Sequence, residues 1–446
     1  MSVNEPLISY YGDDLTGSTD VLEALSSQGV PTVLFTTVPD DAQLARFAAC
    51  RAIGLAGTSR SESPEWMRQH LAPALTWLGE RRAGLCHYKT CSTFDSAPDT
   101  GSIGCALEIG REVFGQSCVP IVVGVPQMKR YTAFGHLFAA FRGEVYRIDR
   151  HPVMARHPVT PMREADLRRH LAAQTTLDIG LADLASLTAA DIDQRIDDWQ
   201  QRHQALLYDV VDETTQASVG HQLWRTRQAD GGYVVGSSGV EYALISEWRR
   251  QGLIGPPPRF ADPGGVERIA VVSGSCSETT ARQIRWASDH GFQAIAVDAV
   301  RLADPAGSEA ERDAAIRHGL AALRSGASVI LHTALGPEGA DPALNGEQAR
   351  HGIGRRLGEI LRELLVAERL TRVVVAGGDT SSHALQQLGI HALTMRLPLP
   401  ETPGSPLCTA YSSDARFDGL EIAFKGGQIG SDGYLATIRD GGVRSR

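Results

Sequence analysis

The chain has 446 residues, of which 42% are hydrophobic and 21% are charged, with 43 Lys and Arg against 52 Asp and Glu. This composition is typical of a folded protein of two or three domains, and the net charge of −9 argues against general binding to nucleic acid. No run approaches the ~18 apolar residues of a membrane span, and the seven cysteines form no CxxC pair, so we expect a cytoplasmic protein that binds neither membrane nor nucleic acid.

Short apolar runs alternate with amphipathic stretches along the chain. Strand-like runs occur at 7–11, 84–89, 120–125 and 205–210, and a helical pattern follows the first of them at 21–28. Beyond residue 265 the alternation is regular, with predicted strands at 268–272, 294–297, 328–332 and 372–376 and predicted helices at 277–290, 308–324, 347–368 and 381–388. Strands that alternate with helices predict an α/β fold with largely parallel sheets.

One segment interrupts this pattern. Residues 251–265 read QGLIGPPPRFADPGG, with four prolines in fifteen residues. Proline lacks a backbone donor and disfavours helix, so this density is typical of a linker. We therefore predict two domains, residues 1–250 and residues 266–446.

The first motif that could carry chemistry is GDDLTGS at 12–18, directly after the first predicted strand. A loop that leaves the carboxyl end of a strand and enters a helix is where α/β proteins place ligand groups. One of the adjacent carboxylates, Asp13 and Asp14, could face a ligand while the other caps the helix. The alternative is a capped turn with two solvated aspartates.

A second motif begins at Lys89, one of only three lysines among the 43 basic residues; the others are Lys129 and Lys425. A lysine retained in so arginine-rich a chain could sit where a compact ammonium fits and a planar guanidinium does not. Ser92, Thr93 and Asp95 follow it, and such hydroxyls and carboxylates suit the hydroxyl groups of a sugar while the ammonium suits a carboxylate. Arg60, after another predicted strand, could add a fork for the same carboxylate. The alternative is a Ser/Thr-rich surface loop.

Three small-residue turns follow predicted strands in the second domain. Backbone N–H groups at such turns bind phosphates, and paired glycines allow close approach. The alternative for the first turn is a simple serine cap. The candidate nucleotide-binding residues in these turns are Ser273, Ser275, Ser277, Gly377, Gly378, Asp379, Thr380, Lys425, Gly426, Gly427 and Gly430.

Several common motifs are missing from the sequence. It contains no GK dipeptide, so there is no P-loop, and no GxGxxG follows a predicted strand. It also lacks HExxH and CxxC, so we assign no metal ligands to the protein itself.

These motifs together resemble the four-carbon acid sugar kinase family, which includes D-threonate, D-erythronate and 3-oxo-tetronate kinases. The resemblance rests on GDDLTGSTD (12–20), the Ser59–Arg60 pair, SGSCSETTARQI (273–284), AGGDTSSHAL (376–385) and FKGGQIGSDGYL (424–435), and it spans nearly the whole chain. It implies an N-terminal domain that binds the acid sugar, a C-terminal domain that binds ATP, and an active site in the cleft between them.

One loop departs from the family's majority pattern. Residues 89–104 read KTCSTFDSAPDTGSIG, which keeps the lysine and the Ser-Thr pair but not the arginine and asparagine of the majority. This loop resembles the branch associated with 3-oxo-isoapionate kinases. The resemblance therefore implies an ATP-dependent kinase for a hydroxyl of a small acid sugar, with 3-oxo-isoapionate as favoured substrate and D-threonate, D-erythronate or 3-oxo-tetronate as alternatives.

Phosphoryl transfer depends mostly on positioning and charge neutralisation. An aspartate beside the substrate hydroxyl would accept its proton, and we rank Asp14 before Asp13 for this role. Mg²⁺ would bridge the ATP phosphates, held mostly by phosphate oxygens and water. The other hypotheses are a non-catalytic sensor of ATP and a sugar acid, and a phosphatase with Asp13 as nucleophile, which the missing DxD spacing disfavours. A homo-oligomer is compatible with the sequence.

Overall fold

A computed structural model describes residues 5–157, 159–304, 306–337, 347–427 and 429–442, of which Glu347, Gln348 and Asp379 are described by their backbone only. The chain divides into two compact units, Met1–Pro258 and Arg259–Arg446. The division falls inside the proline-rich segment 251–265. None of the helices in the described residues is long and apolar enough to cross a membrane.

Unit 1 (Met1–Pro258) is built on parallel strands in the spatial order β2-β3-β1-β4-β11-β5-β10-β9. The strands of unit 1 are β1 (Ile8–Gly12), β2 (Thr32–Phe35), β3 (Ala52–Ala56), β4 (Leu85–Lys89), β5 (Val119–Val122), β6 (Arg130–Ala133), β7 (His136–Phe141), β8 (Glu144–Arg147), β9 (Ile179–Ala182), β10 (Ala205–Tyr208) and β11 (Gly232–Gly236). The helices are α1 (Leu15–Ser27), α2 (Asp41–Ala45), α3 (Pro64–Gly79), α4 (Ile103–Val113), α5 (Leu167–Ala172), α6 (Leu184–Leu187), α7 (Ile192–Arg202), α8 (Glu213–Thr226) and α9 (Gly239–Arg250). Strands β6, β7 and β8 form a separate antiparallel sheet.

Unit 2 (Arg259–Arg446) has the spatial order β13-β14-β12-β15-β18-β17-β16. Its strands are β12 (Ala270–Ser273), β13 (Phe292–Ala296), β14 (Ser328–His332), β15 (Arg372–Ala376), β16 (Ile390–Leu397), β17 (Leu407–Ser412) and β18 (Glu421–Lys425). Its helices are α10 (Glu278–Ser288), α11 (Ala299–Ala303), α12 (Ser308–Arg324), α13 (Glu347–Glu368), α14 (Gly378–Gln387) and α15 (Tyr434–Asp440). Five neighbouring strands are parallel to one another: β13, β14, β12, β15 and β18. Strand β17 runs antiparallel to its neighbours β16 and β18. The α/β class and the largely parallel sheets are therefore confirmed.

Two helices begin earlier than the hydrophobic pattern predicts. The first helix was expected at 21–28 but begins at Leu15, because the side chain of Asp14 caps it by accepting from Gly17 N. The helix expected at 381–388 begins at Gly378. In both cases the first turn consists of small or polar residues, so the apolar periodicity begins only after the helix has started.

Register brings the carboxyl ends of the strands to one edge in each unit. In unit 1, Gly12 lies level with Lys89, and Lys89 with Gly236. In unit 2, Ser273 lies level with Ala376, and Ala376 with Lys425. The loops that follow these residues therefore meet at one edge of their own sheet, which is where parallel sheets bind ligands.

Candidate active site

Two adjacent carboxylates follow β1, and the fold gives them different surroundings. Asp14 caps α1, and its other oxygen lies 3.6 Å from Nη1 of Arg60 with about a third of its side chain exposed (34%). Asp13 is buried, and its Oδ1 has no hydrogen-bond partner among the described residues. Its backbone is fixed on both sides, because Asp13 N donates to Lys89 O and Arg60 N donates to Asp13 O.

Burial, and then the negative charge of Asp14, raise the pKa of Asp13 to about 7. Arg60 and Lys89 act in the opposite direction and limit the rise. A carboxylate with a pKa near neutrality can both accept and return a proton at physiological pH. Asp13 therefore has the properties of a general base, whereas Asp14 is engaged as a helix cap.

Arg60 lies beside Asp14 of the loop after β1 and beside Asp95 of the loop after β4. Its Nη2 lies 2.9 Å and 3.1 Å from the two carboxylate oxygens of Asp95. Asp95 also accepts from the hydroxyls of Thr93 (2.5 Å) and Thr160 (2.9 Å). Burial alone would raise the pKa of Asp95, but the Arg60 guanidinium and these hydroxyls outweigh it and lower the pKa below its ordinary value. Asp95 is therefore a fixed anion.

Lys89 ends β4 with its ammonium fully inside the protein. Its Nζ lies 3.2 Å from Oδ2 of Asp20 and donates to Thr90 O at 2.9 Å. Burial alone would lower the pKa of Lys89, but the carboxylates of Asp20 and Asp13 raise it, so the ammonium is held charged. A role for Lys89 in binding a ligand carboxylate stays a prediction, although Asp20 already balances its charge.

The structure brings the predicted residues of unit 1 together and adds others. Ser92 is buried in the same loop as Thr93 and Asp95. Asp20 and Thr160 were missed, because their roles come from contacts across the fold. Asp20 closes the motif GDDLTGSTD, and this was the only signal for it.

In unit 2, the ammonium of Lys425 lies where the loops after β12 and β18 meet. Its Nζ donates to Thr280 Oγ1 at 3.0 Å and to Gly426 O at 2.7 Å. Ser277, which caps α10, donates through its hydroxyl to Gly427 O. Ser275 Oγ lies 3.0 Å from Thr280 Oγ1, so a hydroxyl cluster surrounds the ammonium.

Lys425 is almost completely buried (1% exposed) without a carboxylate within ion-pair distance in the described part of the chain. Burial lowers its pKa to about 7. A buried cation without a counter-charge is costly, and an arriving anion would stabilise it. This position is therefore suited to a phosphate group.

The loop after β15 joins the same edge of unit 2. Gly377 has a φ of 109°, a conformation that side chains rarely adopt, and its N donates to Lys425 O. A Cβ on Gly377 would lie 3.3 Å from Ser275 N, so the two loops touch. Thr380 Oγ1 occupies the space beside Gly274, and Ser273 Oγ accepts from Ser275 N. Gly378 starts α14.

Two predicted nucleotide-binding residues remain, Asp379 and Gly430. The side chain of Asp379 lies outside the described residues. Gly430 has a φ of 97° and packs against Gln283 and Thr402 rather than against Lys425.

A cavity of about 560 Å³ in unit 2 lies beside α15. Ser431 and Thr402 line it near Gly430, and Leu397, Leu399 and Tyr434 contribute apolar surface. Its volume lies in the usual range for small-molecule sites. The described residues contain no cluster of three or more His, Cys, Asp or Glu side chains that could hold a metal ion.

Both units match known domain families. The model of a sugar-binding N-terminal domain matches residues 8–244, and that of a nucleotide-binding C-terminal domain matches residues 270–435. The chain belongs to the family that these two domains define, and the curated relatives place this family among the sugar-acid kinases.

Among these relatives, a 3-oxo-isoapionate kinase from Paraburkholderia graminis is 46% identical, and the match covers 98% of this chain and 94% of the relative. A 3-oxo-tetronate kinase from Cupriavidus necator is 30% identical, with coverage of 97% and 96%. A solved protein from Salmonella typhimurium, described as a candidate tRNA synthase, is 25% identical with a TM-score of 0.76, covering 96% of this chain and 98% of that one. The predicted resemblance to the acid sugar kinases is therefore confirmed.

Proposed function

We propose that this protein is an ATP-dependent kinase that phosphorylates a hydroxyl group of 3-oxo-isoapionate. The observation that carries the choice of substrate is the 46% identity, over nearly the whole chain, to a relative named for that activity. The relatives named for 3-oxo-tetronate are 27–30% identical, so a four-carbon acid sugar is the second candidate.

In unit 1, we assign proton removal to Asp13 in preference to Asp14. Asp13 is buried, has an oxygen without a partner and has a pKa of about 7, which suits a base that deprotonates a hydroxyl during transfer. Arg60, Asp95, Thr93 and Ser92 would hold the sugar hydroxyls. The positive charge of Lys89 would limit the rise in the pKa of Asp13.

In unit 2, we assign the transferred phosphate to Lys425 and the turns around it. The absence of a carboxylate beside Lys425 in the described chain supports this assignment, because the phosphate would supply the missing counter-charge. The adenosine part of ATP would occupy the cavity beside α15, which Ser431 lines.

Mg²⁺ would assist the transfer by neutralising phosphate charge. It would be bound mainly through phosphate oxygens and water. Phosphoryl transfer needs both an acceptor hydroxyl and a neutralised phosphate, and in this proposal unit 1 supplies the first and unit 2 the second.

The test is a coupled assay of ADP release with purified protein, Mg-ATP and a panel of acid sugars. We expect the highest kcat/KM with 3-oxo-isoapionate. A higher value with D-threonate, D-erythronate or 3-oxo-tetronate would move the assignment to the four-carbon acids. Binding of ATP and an acid sugar without ADP release would favour a sensor.

A further inference from the structure

Arg130 is a basic residue of unit 1 that forms no ion pair with the aspartates Asp14, Asp20 and Asp95. It is the first residue of β6, in the hairpin that follows β5. Its Nη1 donates to the carbonyls of Met128 (3.0 Å), Lys129 (3.2 Å) and Ala140 (3.4 Å). Its Nε is buried and has no partner among the described residues.

The charge of Arg130 is not balanced inside the described part of the chain. Arg60 lies beside Asp95 and Asp14, and Lys89 lies beside Asp20. Arg130 has no carboxylate at such a distance, and burial lowers its pKa. A guanidinium that is largely removed from water without an anion is unfavourable unless a ligand supplies the charge.

The hairpin that carries Arg130 follows β5, whose last residue Val122 lies level with Gly236, and Gly236 lies level with Lys89, where the predicted substrate loop (residues 89–104) begins. Arg130 and this loop therefore follow the same edge of the sheet. Cys91 of that loop is within electrostatic reach of both Arg130 and Arg60. The sulfur of Cys91 accepts from the Thr93 hydroxyl at 3.0 Å, and the same hydroxyl donates to Asp95. The segment 91–95 is therefore ion-paired with Arg60 through Asp95, whereas Arg130, which follows the same sheet edge, has no carboxylate partner among the described residues.

The site needs a cation of this kind. Four carboxylates, Asp13, Asp14, Asp20 and Asp95, stand against the two cations Arg60 and Lys89, as the ion pairs and the pKa of Asp13 show. An anionic substrate that entered this surrounding would be repelled unless a further positive charge received its carboxylate.

We propose that Arg130 binds the carboxylate group of the acid sugar, an assignment that rests on the proposed function. Arginine is suited to this because its fork can donate two parallel hydrogen bonds to a carboxylate. Arg130 is then a determinant of specificity. It selects sugars that carry a carboxylate.

The experiment compares Arg130→Gln with Lys129→Gln, which removes the same charge one residue away on an exposed side chain. KM and kcat are measured with the best acid sugar and with its neutral amide. We expect Arg130→Gln to raise KM for the acid by about tenfold or more, the usual scale for losing a charged hydrogen bond, with KM for the amide and for ATP unchanged. Lys129→Gln is expected to leave all three values within about twofold.

Arg130→Lys provides a second variant in case Arg130→Gln folds poorly, which its melting temperature reports. It is expected to retain part of the preference for acid over amide. If the ratio of KM values for acid and amide is unchanged in both variants while the wild type turns over, the assignment of Arg130 is wrong and the proposed function stands. If the wild type turns over no acid sugar, the proposed function fails, and the role of Arg130 with it.

Discussion

The neighbouring residues Asp13 and Asp14 are of the same type, but their surroundings in the fold differ. One carboxylate oxygen of Asp14 accepts a hydrogen bond from Gly17 N at the start of α1, and the other lies near Arg60. Asp13 is buried with a free oxygen and a pKa of about 7. The sequence alone favoured Asp14 as the base, because the capping role of one member of the pair could not be assigned without the backbone.

This difference predicts unequal effects of removing the two charges. Asp13→Asn should lower kcat by roughly 10²–10⁴-fold, the usual range for loss of a general base. Asp14→Asn should cost about tenfold or less, since asparagine also caps helices well. Steady-state kinetics of both variants under saturating ATP decide the matter; the opposite order would return the role of base to Asp14.

The raised pKa of Asp13 also predicts a dependence of stability on pH. Between the unfolded pKa of 3.8 and the folded value of about 7, the folded protein binds more protons than the unfolded chain. The stabilisation from this site is therefore complete at low pH and is lost as the pH rises through 7. Asp13→Asn does not titrate, so its melting temperature relative to the wild type should be higher at pH 8 than at pH 5.5. A difference in melting temperature that is the same at both pH values would contradict the raised pKa of Asp13 in the folded protein.

The three lysines make a further prediction. Lys89 and Lys425 are buried, whereas Lys129 is exposed. A guanidinium is larger than an ammonium and needs more partners. Lys425→Arg should therefore raise KM for ATP, and Lys89→Arg should impair the use of the acid sugar. Lys129→Arg should behave as the wild type, and equal, near-normal kinetics in all three variants would contradict the argument.

At the scale of elements, the alternating strands and helices of unit 2 were predictable. Strands 328–332 and 372–376 and helices 308–324 and 347–368 have the bounds expected from the sequence. The antiparallel strands β6 to β8 were missed, because short strands joined by tight turns carry little periodic signal. Phe134 and Arg142 in their turns have positive φ. Phenylalanine and arginine rarely adopt this conformation, so the sequence did not predict these turns.

The position of the glycine-rich turns could likewise be predicted, but the contacts they make could not. Lys425 was expected to lead a phosphate-binding turn, whereas its hydrogen bond to Thr280 joins residues 145 positions apart. Arg130 and Thr160 could not be predicted from the sequence either. Thr160 is brought to Asp95 by the fold, and Arg130 Nε is left without a partner among the described residues.

The cavity beside α15 predicts the effect of blocking it. Ser431 lines this cavity, and Asp432 beside it does not. Ser431→Trp should weaken ADP binding by about tenfold, equivalent to 1.4 kcal/mol, while pyrophosphate, which needs only the turns around Lys425, binds as before. Asp432→Trp serves as the matched control and should change neither. Calorimetric titration measures both ligands; an unchanged affinity of Ser431→Trp for ADP would place adenosine elsewhere.

At the scale of the whole molecule, the two units carry complementary chemistry. Unit 1 holds the buried carboxyl group of Asp13, with a pKa of about 7, among fixed charges, and unit 2 holds a buried cation without a counter-charge in the described chain. Phosphoryl transfer needs both an activated hydroxyl and a neutralised phosphate. The sequence could predict this division because its motifs fall at strand ends on both sides of the proline-rich segment.

The central claim is that the protein transfers the γ-phosphoryl group of ATP to a hydroxyl of an acid sugar. Phosphorus NMR of the wild type with Mg-ATP and 3-oxo-isoapionate tests it most directly, because this measurement identifies where the phosphorus goes. We expect a new phosphate monoester signal that grows in step with ADP. Inorganic phosphate as the only new phosphorus species besides ADP, or no consumption of ATP with any acid sugar of the panel, would contradict it.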